Sequence, residues 1–219
     1  MNNIIKHIPN LITLCNLFCG CIAITLAISG DVLSSFLFIL LGAFFDIWDG
    51  FVARLLKIAS PLGKELDSFS DLTTFGLAPA FLIFYSCFSN EWYGYLLFII
   101  PATAALRLAK YNITEHPEGP SFFDGVPSPA AGITLASIPY GYQHYSLINN
   151  PIYQWILLGI IIVISLSMLT TWKYPKLNIK NRWQVAFLII SLILLYLLGT
   201  QIILPIFILY LLIPLFNIK

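Results

Sequence analysis

Apolar runs of about 20 residues, the length a helix needs to cross a bilayer core, follow one another along almost the whole chain and are parted only by short polar breaks. Cutting the sequence where charges, Pro and Gly interrupt these runs predicts eight helical spans, at about 10–29, 32–58, 65–88, 92–113, 129–145, 152–171, 183–198 and 201–216. The last two are short and Pro205 interrupts the final one, so a shallow hairpin or re-entrant pair is the alternative there. Only 10% of the residues are charged, against roughly 25% in a soluble globular domain, which excludes an ordinary soluble fold. The fold class that remains is all-α: one polytopic integral membrane bundle over 1–219, with a six-helix core at 10–171 and a C-terminal helical pair at 183–216. A net charge of +1 offers no basic face for nucleic acid.

The cations order the spans. Cytoplasmic loops collect Lys and Arg, and all eleven fall on alternate connections: Lys6; Arg54, Lys57 and Lys64; Arg107 and Lys110; Lys173, Lys176, Lys180 and Arg182; Lys219. The connections near Asp31, Glu91, Asn149 and Thr200 carry none. Both termini are therefore expected on the cytoplasmic side. The first run is too long for a cleaved signal core of roughly 7–15 residues, and it carries Thr13, Asn16 and Gly20 on one narrow helical arc, which should face protein or a water-filled space. Cys15, Cys19, Cys21 and Cys87 lie in apolar runs and read as reduced packing residues. Aromatic residues near span ends, such as Trp92, Tyr93, Trp155 and Trp172, read as an interfacial belt, and His7, His116 and His144 are given no role.

Four of the six aspartates, Asp46, Asp49, Asp67 and Asp71, fall within 26 residues. On a helix Asp46, Asp49, Gly50 and Ala53 share one face; Gly63, Asp67 and Asp71 share a face of the next. A short turn at Ser60-Pro61-Leu62 makes the two helices antiparallel neighbours, so their acidic faces can meet near the cytoplasmic end. Carboxylates at membrane depth are costly unless a positive charge sits among them. Converging oxygen ligands with no His or Cys suit one or two Mg²⁺ or Mn²⁺ ions and not zinc. A lone Asp near a helix end is ordinarily a cap, but four in register are not. The competing reading is a cation or proton pathway, which would be expected near the midplane rather than at one surface.

Asp46-Ile47-Trp48-Asp49-Gly50-Phe51-Val52-Ala53-Arg54, with Gly63, Asp67 and Asp71 following at fixed intervals, resembles the signature of the CDP-alcohol phosphotransferase family at every specified position. The stretch Pro9-Asn10 to Gly20, the stretch Leu106 to Asn112 and the stretch Phe123-Asp124-Gly125-Val126-Pro127-Ser128-Pro129 are similar to those of the membrane-embedded phosphatidylserine synthases, with Lys110 and Val126 as mild departures.

The resemblance implies an enzyme that moves the phosphatidyl group of CDP-diacylglycerol to L-serine and releases CMP, with another acceptor (inositol, inositol phosphate or glycerol 3-phosphate) as the alternative. It implies that Asp46, Asp49, Asp67 and Asp71 hold two divalent ions, Mg²⁺ or Mn²⁺, and that Asp71 also serves as general base. Thr13, Asn16, Gly50, Ala53, Arg54 and Gly63 would attend the CDP-lipid: small residues let the nucleotide, or a neighbouring helix, come close, and Arg54 meets a phosphate. Arg107 and Lys110, one helical turn apart, would take the acceptor carboxylate and Asp124 its ammonium. A homodimer among membrane lipids is the expected assembly.

Overall fold

The computed structural model of the protein describes residues 7–58, 60–89, 91–114, 122–144 and 151–175. They form six helices: α1 (Ile8–Ile28), α2 (Val32–Leu56), α3 (Pro61–Phe88), α4 (Trp92–Ile113), α5 (Ser128–His144) and α6 (Pro151–Ser167). The first four are long and apolar enough to cross a membrane. The expected spans at 183–198 and 201–216 lie outside the described residues.

Local chemistry sets the helix ends. Gly30, at φ +84°, turns the chain after α1, and Asp31 caps α2 by accepting from the Ser34 amide at 3.0 Å. Hydrogen bonds from the Ser34 side chain and backbone hold the Asp31 carboxyl below its ordinary range. Lys57 closes α2 in the left-handed region at φ 54°. Ser60 then accepts from the Gly63 amide at 3.0 Å, with Pro61 in the first turn. This Ser-Pro start, favoured because it satisfies an orphan amide and presets φ, begins α3 four residues before the expected Glu65. The axis of α3 is not uniform: its backbone widens into π-type turns at Leu72–Leu77 and again at Phe84–Phe88. A tighter 3₁₀ stretch, Trp92–Phe98, opens α4.

Polar side chains lie inside this bundle and many large apolar ones outside. Thr13, Asn16, Ser35, Ser70 and Thr74 are buried, whereas Phe18, Leu37, Ile47, Leu55 and Val163 are exposed. That inversion is what a hydrocarbon solvent selects, since lipid rewards no apolar burial but leaves backbone and polar groups needing partners. Hydroxyls tie the helices together: Ser70 Oγ donates to the Thr13 carbonyl at 3.0 Å, Thr74 Oγ1 to the Asn16 carbonyl at 3.0 Å, and Ser35 Oγ to the Ala23 carbonyl at 2.8 Å. Apolar packing continues between them, through Ala23, Phe36, Ile39, Phe75, Leu82 and Ala136 on one side of α3. A second cluster joins Ile83, Leu97, Ile100, Leu135 and Ile161 on the other.

Glycine permits a close approach of one helix to the backbone of another. A Cβ on Gly132 of α5 would stand 2.7 Å from Cα, Cβ and O of Phe75 in α3. Backbone cannot swing aside as a side chain does, so Gly132→Ala is expected to part α3 from α5 and cost about 1–3 kcal/mol. A thermal melt of the variant in detergent should show a clear loss, and an unchanged midpoint would contradict this packing.

Two features depart from the all-α, belt-flanked expectation. Strands β1 (Phe122–Asp124) and β2 (Lys173–Pro175) pair antiparallel, Phe123 opposite Tyr174. Around them, Gly125 N donates to the Trp172 carbonyl at 2.9 Å and Val126 N to the Ser167 carbonyl at 3.2 Å, so the start of α5 is strapped to the end of α6. Six residues in regular pairing leave the architecture helical. Tyr93, placed in the interfacial belt by its sequence position, is buried instead; its hydroxyl donates to Gln154 Oε1 and its ring stacks on Trp155 at 4.6 Å between centroids. A buried phenol needs an acceptor, and Gln154 supplies it across the α4–α6 contact. All four cysteines are free, with Cys19 and Cys87 buried.

Candidate active site

Antiparallel α2 and α3 bring their acidic faces together at the end of the bundle that carries Lys57 and Lys64. One carboxylate oxygen from each of Asp46, Asp49 and Asp67 lies within 4.8 Å of the others. Asp71, buried one turn farther along α3, faces Asp46 and Asp67. Asp46 is the hub, in contact or close electrostatic range of the other three.

Each carboxylate has a different setting. Asp49 accepts a 2.6 Å hydrogen bond from Thr13 Oγ1, which also lies 3.0 Å from the Pro9 carbonyl. The first contact is short, as a hydroxyl bonded to a carboxylate should be, and it fixes Asp49 against α1. Asp71 Oδ2 is 3.4 Å from Ser128 Oγ, which accepts from Arg107 Nη1 at 2.9 Å. The other oxygen of Asp71, Oδ1, is buried with no hydrogen-bond partner. Asp46 and Asp67 are half-buried.

This donor set fits a hard divalent cation. The ligands are all carboxylate oxygens, three already converge within 4.8 Å, and an orphaned buried oxygen on Asp71 adjoins them. An unpaired buried acceptor is unfavourable unless something occupies it, and Mg²⁺ or Mn²⁺ prefers such oxygen ligands.

The other residues singled out in the sequence are distributed around this cluster. A Cβ on Gly50 would meet only Arg54 Nη2, at 3.9 Å, so the α2 face beside Asp49 is open and Arg54 leans back over it. Ala53 is half-buried beside it. Gly63 is closed in: a Cβ there would lie 3.0 Å from Ser60 Oγ and 3.1 Å from Asn10 Oδ1, so its lack of bulk serves the approach of α3 to α1. Asn16 is wholly buried, its amide N and O without partners, and its Oδ1 abuts Gly42. Arg107 reaches the cluster through Ser128; Lys110 and Asp124 are exposed. Asp124 ends β1, followed by Gly125 at φ +72°.

Two contributors were not picked out from the sequence. Ser128 lies in the stretch Phe123 to Pro129 noted for its resemblance, but no role was assigned to it there. Asn112 ties α4 to α3, donating from Nδ2 to Ser68 Oγ at 2.9 Å while its carbonyl accepts from Lys64 Nζ at 2.8 Å. It closes the stretch Leu106 to Asn112 noted for its resemblance, but a polar residue two positions beyond Lys110 at a helix end is ordinarily solvated, so no role was assigned to it.

Apolar helices with a cluster of four aspartates between the second and third, two buried and two half-buried, define an integral membrane protein with an acidic centre. The CDP-alcohol phosphatidyltransferase family matches residues 6–172, and the chain belongs to that family, as a membrane-bound transferase of phospholipid biosynthesis. It is 39% identical over 140 residues to the CDP-diacylglycerol–serine O-phosphatidyltransferase of Bacillus subtilis (strain 168), covering 63% of this chain and 78% of that one. It is 36% identical over 169 residues to the enzyme of the same name from Methanocaldococcus jannaschii, covering 77% and 74%. To the archaetidylserine synthase of Methanothermobacter thermautotrophicus it is 30% identical over 174 residues, covering 78% and 70%.

Proposed function

We propose that the protein transfers the phosphatidyl group of CDP-diacylglycerol to the hydroxyl of L-serine, giving phosphatidylserine and CMP. The observation that carries this reading is the carboxylate cluster with Arg107 brought to it through Ser128, in a chain similar to phosphatidylserine synthases over most of its length.

Asp46, Asp49, Asp67 and Asp71 would hold the divalent ions, two by analogy with the family, whose chemistry is to neutralise the diphosphate and polarise the phosphorus under attack. The chain supplies the rest by position and charge. Thr13 orients Asp49 so that its remaining lone pairs face the cluster. The open face at Gly50 and Ala53 admits the nucleotide, with Arg54 beside it to meet a phosphate. Asp71 takes the proton of the serine hydroxyl as the oxygen bonds to phosphorus and the bond from phosphorus to the CMP oxygen breaks. Arg107 attracts the serine carboxylate; Lys110 and Asp124, farther out, guide carboxylate and ammonium inward. The site opens toward the cytoplasm, where both termini lie, and the chain works as a homodimer in which 10–171 is the catalytic core and 183–216 an added helical pair.

The test is CMP release by the purified protein in detergent–lipid micelles containing CDP-diacylglycerol and Mn²⁺ or Mg²⁺, with serine, inositol or glycerol 3-phosphate added in turn. Release with serine alone is expected. Release with a different acceptor would keep the metal site and discard the role given to Arg107, Lys110 and Asp124. No release with any acceptor, from protein that binds Mn²⁺, would favour a cation pathway.

A further inference from the structure

We propose that Ser128 is a positioning residue that decides how Asp71 is presented to the site, by holding one carboxylate oxygen of Asp71 and one nitrogen of Arg107 on a single hydroxyl. The inference deepens the phosphatidyl-transfer reading and rests on it for its kinetic part only.

Ser128 Oγ is wholly buried, accepts from Arg107 Nη1 at 2.9 Å and lies 3.4 Å from Asp71 Oδ2. Guanidinium only donates, and a hydroxyl has one hydrogen and two lone pairs. A lone pair therefore goes to Arg107, which leaves the hydrogen free for Asp71. At 3.4 Å the second link is longer than an optimal O–H···O bond, leaving slack that a loaded site can take up. With Oδ2 tied in this way, Oδ1 is the oxygen left for the cluster, and it is the one buried without a partner. Arg107 in turn is joined to Asp71 through that hydroxyl, and its charge acts on Asp71.

The backbone holds Ser128 independently of the site. It is the first residue of α5, preceded by Gly125, whose positive φ and place against the Met168 and Thr170 carbonyls exclude a Cβ. The bonds from Gly125 N to Trp172 O and Val126 N to Ser167 O lock that segment to the end of α6. Removing only the hydroxyl should thus leave the fold in place and change the relation between Asp71 and Arg107.

The experiment compares wild type, Ser128→Ala and Ser128→Ala/Arg107→Met, each full-length in micelles, by steady-state CMP release and by Mn²⁺ binding followed as the electron paramagnetic signal of free Mn²⁺. In Ser128→Ala, kcat is expected to fall by about 10–100-fold, the effect of losing hydrogen bonds to charged partners, while KM for CDP-diacylglycerol stays within about twofold and the melting midpoint holds. Mn²⁺ affinity should weaken by about tenfold as Arg107 closes on Asp71, and the double variant should regain that affinity without regaining turnover. Ser128→Cys, close in volume and weaker as a donor, should fall between wild type and Ser128→Ala, and it carries the test if the alanine variant does not fold. Wild-type Mn²⁺ affinity and kcat in Ser128→Ala, or a double variant that binds Mn²⁺ no better than the single one, would overturn the proposal. Wild-type protein that binds Mn²⁺ and releases no CMP would instead remove the transfer reading, and the Mn²⁺ series would still decide the part played by Ser128.

Discussion

Asp71→Asn is expected to leave CDP-diacylglycerol binding within a few-fold of wild type while CMP release falls by about 10³-fold or more, the upper part of the range for a lost general base combined with a lost ligand charge. Asparagine matches the aspartate in volume, and its amide oxygen can still accept from Ser128, so the packing at this buried position survives. What is lost is the basicity and one ligand charge. The basicity acts only once a hydroxyl begins to surrender its proton, and so, with Mn²⁺ kept saturating, the loss should appear in kcat and spare KM. Turnover within tenfold of wild type would remove Asp71 from the proton's path. A large rise in KM with kcat preserved would make it a binding residue only.

The second large effect has two faces. Asp46→Asn takes away the carboxylate that neighbours the other three, and CMP release should drop by about 10³-fold, together with Mn²⁺ binding. Without metal the same variant should be more stable than wild type, because like charges gathered in a poorly solvated place repel one another. Saturating metal stabilises a protein that binds it, by about 2.7 kcal/mol at one hundred times the dissociation constant. Chelation should therefore lower the melting midpoint of wild type and leave that of Asp46→Asn nearly unmoved, so that the order of the two is reversed between metal-loaded and metal-free samples. Equal chelator sensitivity in the two proteins would show that the cluster is not where the metal binds.

How much of this was legible beforehand follows from the range of each signal. Helix limits at Val32, Phe88, Trp92 and Ile113 could be read because hydropathy changes abruptly there. The start of α3 could not, since Pro61, Gly63 and Lys64 look like a break until Ser60 is seen to cap them. The aspartates were legible because helical spacing alone places Asp46 with Asp49 and Asp67 with Asp71 on common faces, and a short turn brings those faces together. Ser128 was not, because its partners Arg107 and Asp71 are 21 and 57 residues away, and no local pattern records a contact of that span. The β1–β2 ladder escaped for a similar reason: three-residue strands have too few positions to show alternation. Gly63 was marked as a place of close approach, yet its neighbour proved to be Asn10 of α1, a pairing that only the assembled bundle displays.

The widened turn at Leu72–Leu77, directly after Asp71, has a bearing on how this chain should be compared with its kin. A π-type turn holds one residue more than the α-helix it interrupts, which makes it the footprint of an insertion absorbed without breaking the rod. Each residue advances an uninterrupted α-helix by about 100°, so an extra residue there would rotate everything beyond it by that angle; the widened turn takes the residue up instead. Deleting one position between 72 and 77 would then return the turn to α geometry and leave Asp67 and Asp71 on one side of it, and Ala78, Leu82 and Ile83 on the other, on the faces they now occupy. Relatives that share the aspartate spacing but lack a residue just downstream would carry the same acidic centre and the same interior face on a plain α-helix, and an alignment gap at this point would mark the loss of the widened turn rather than of the motif.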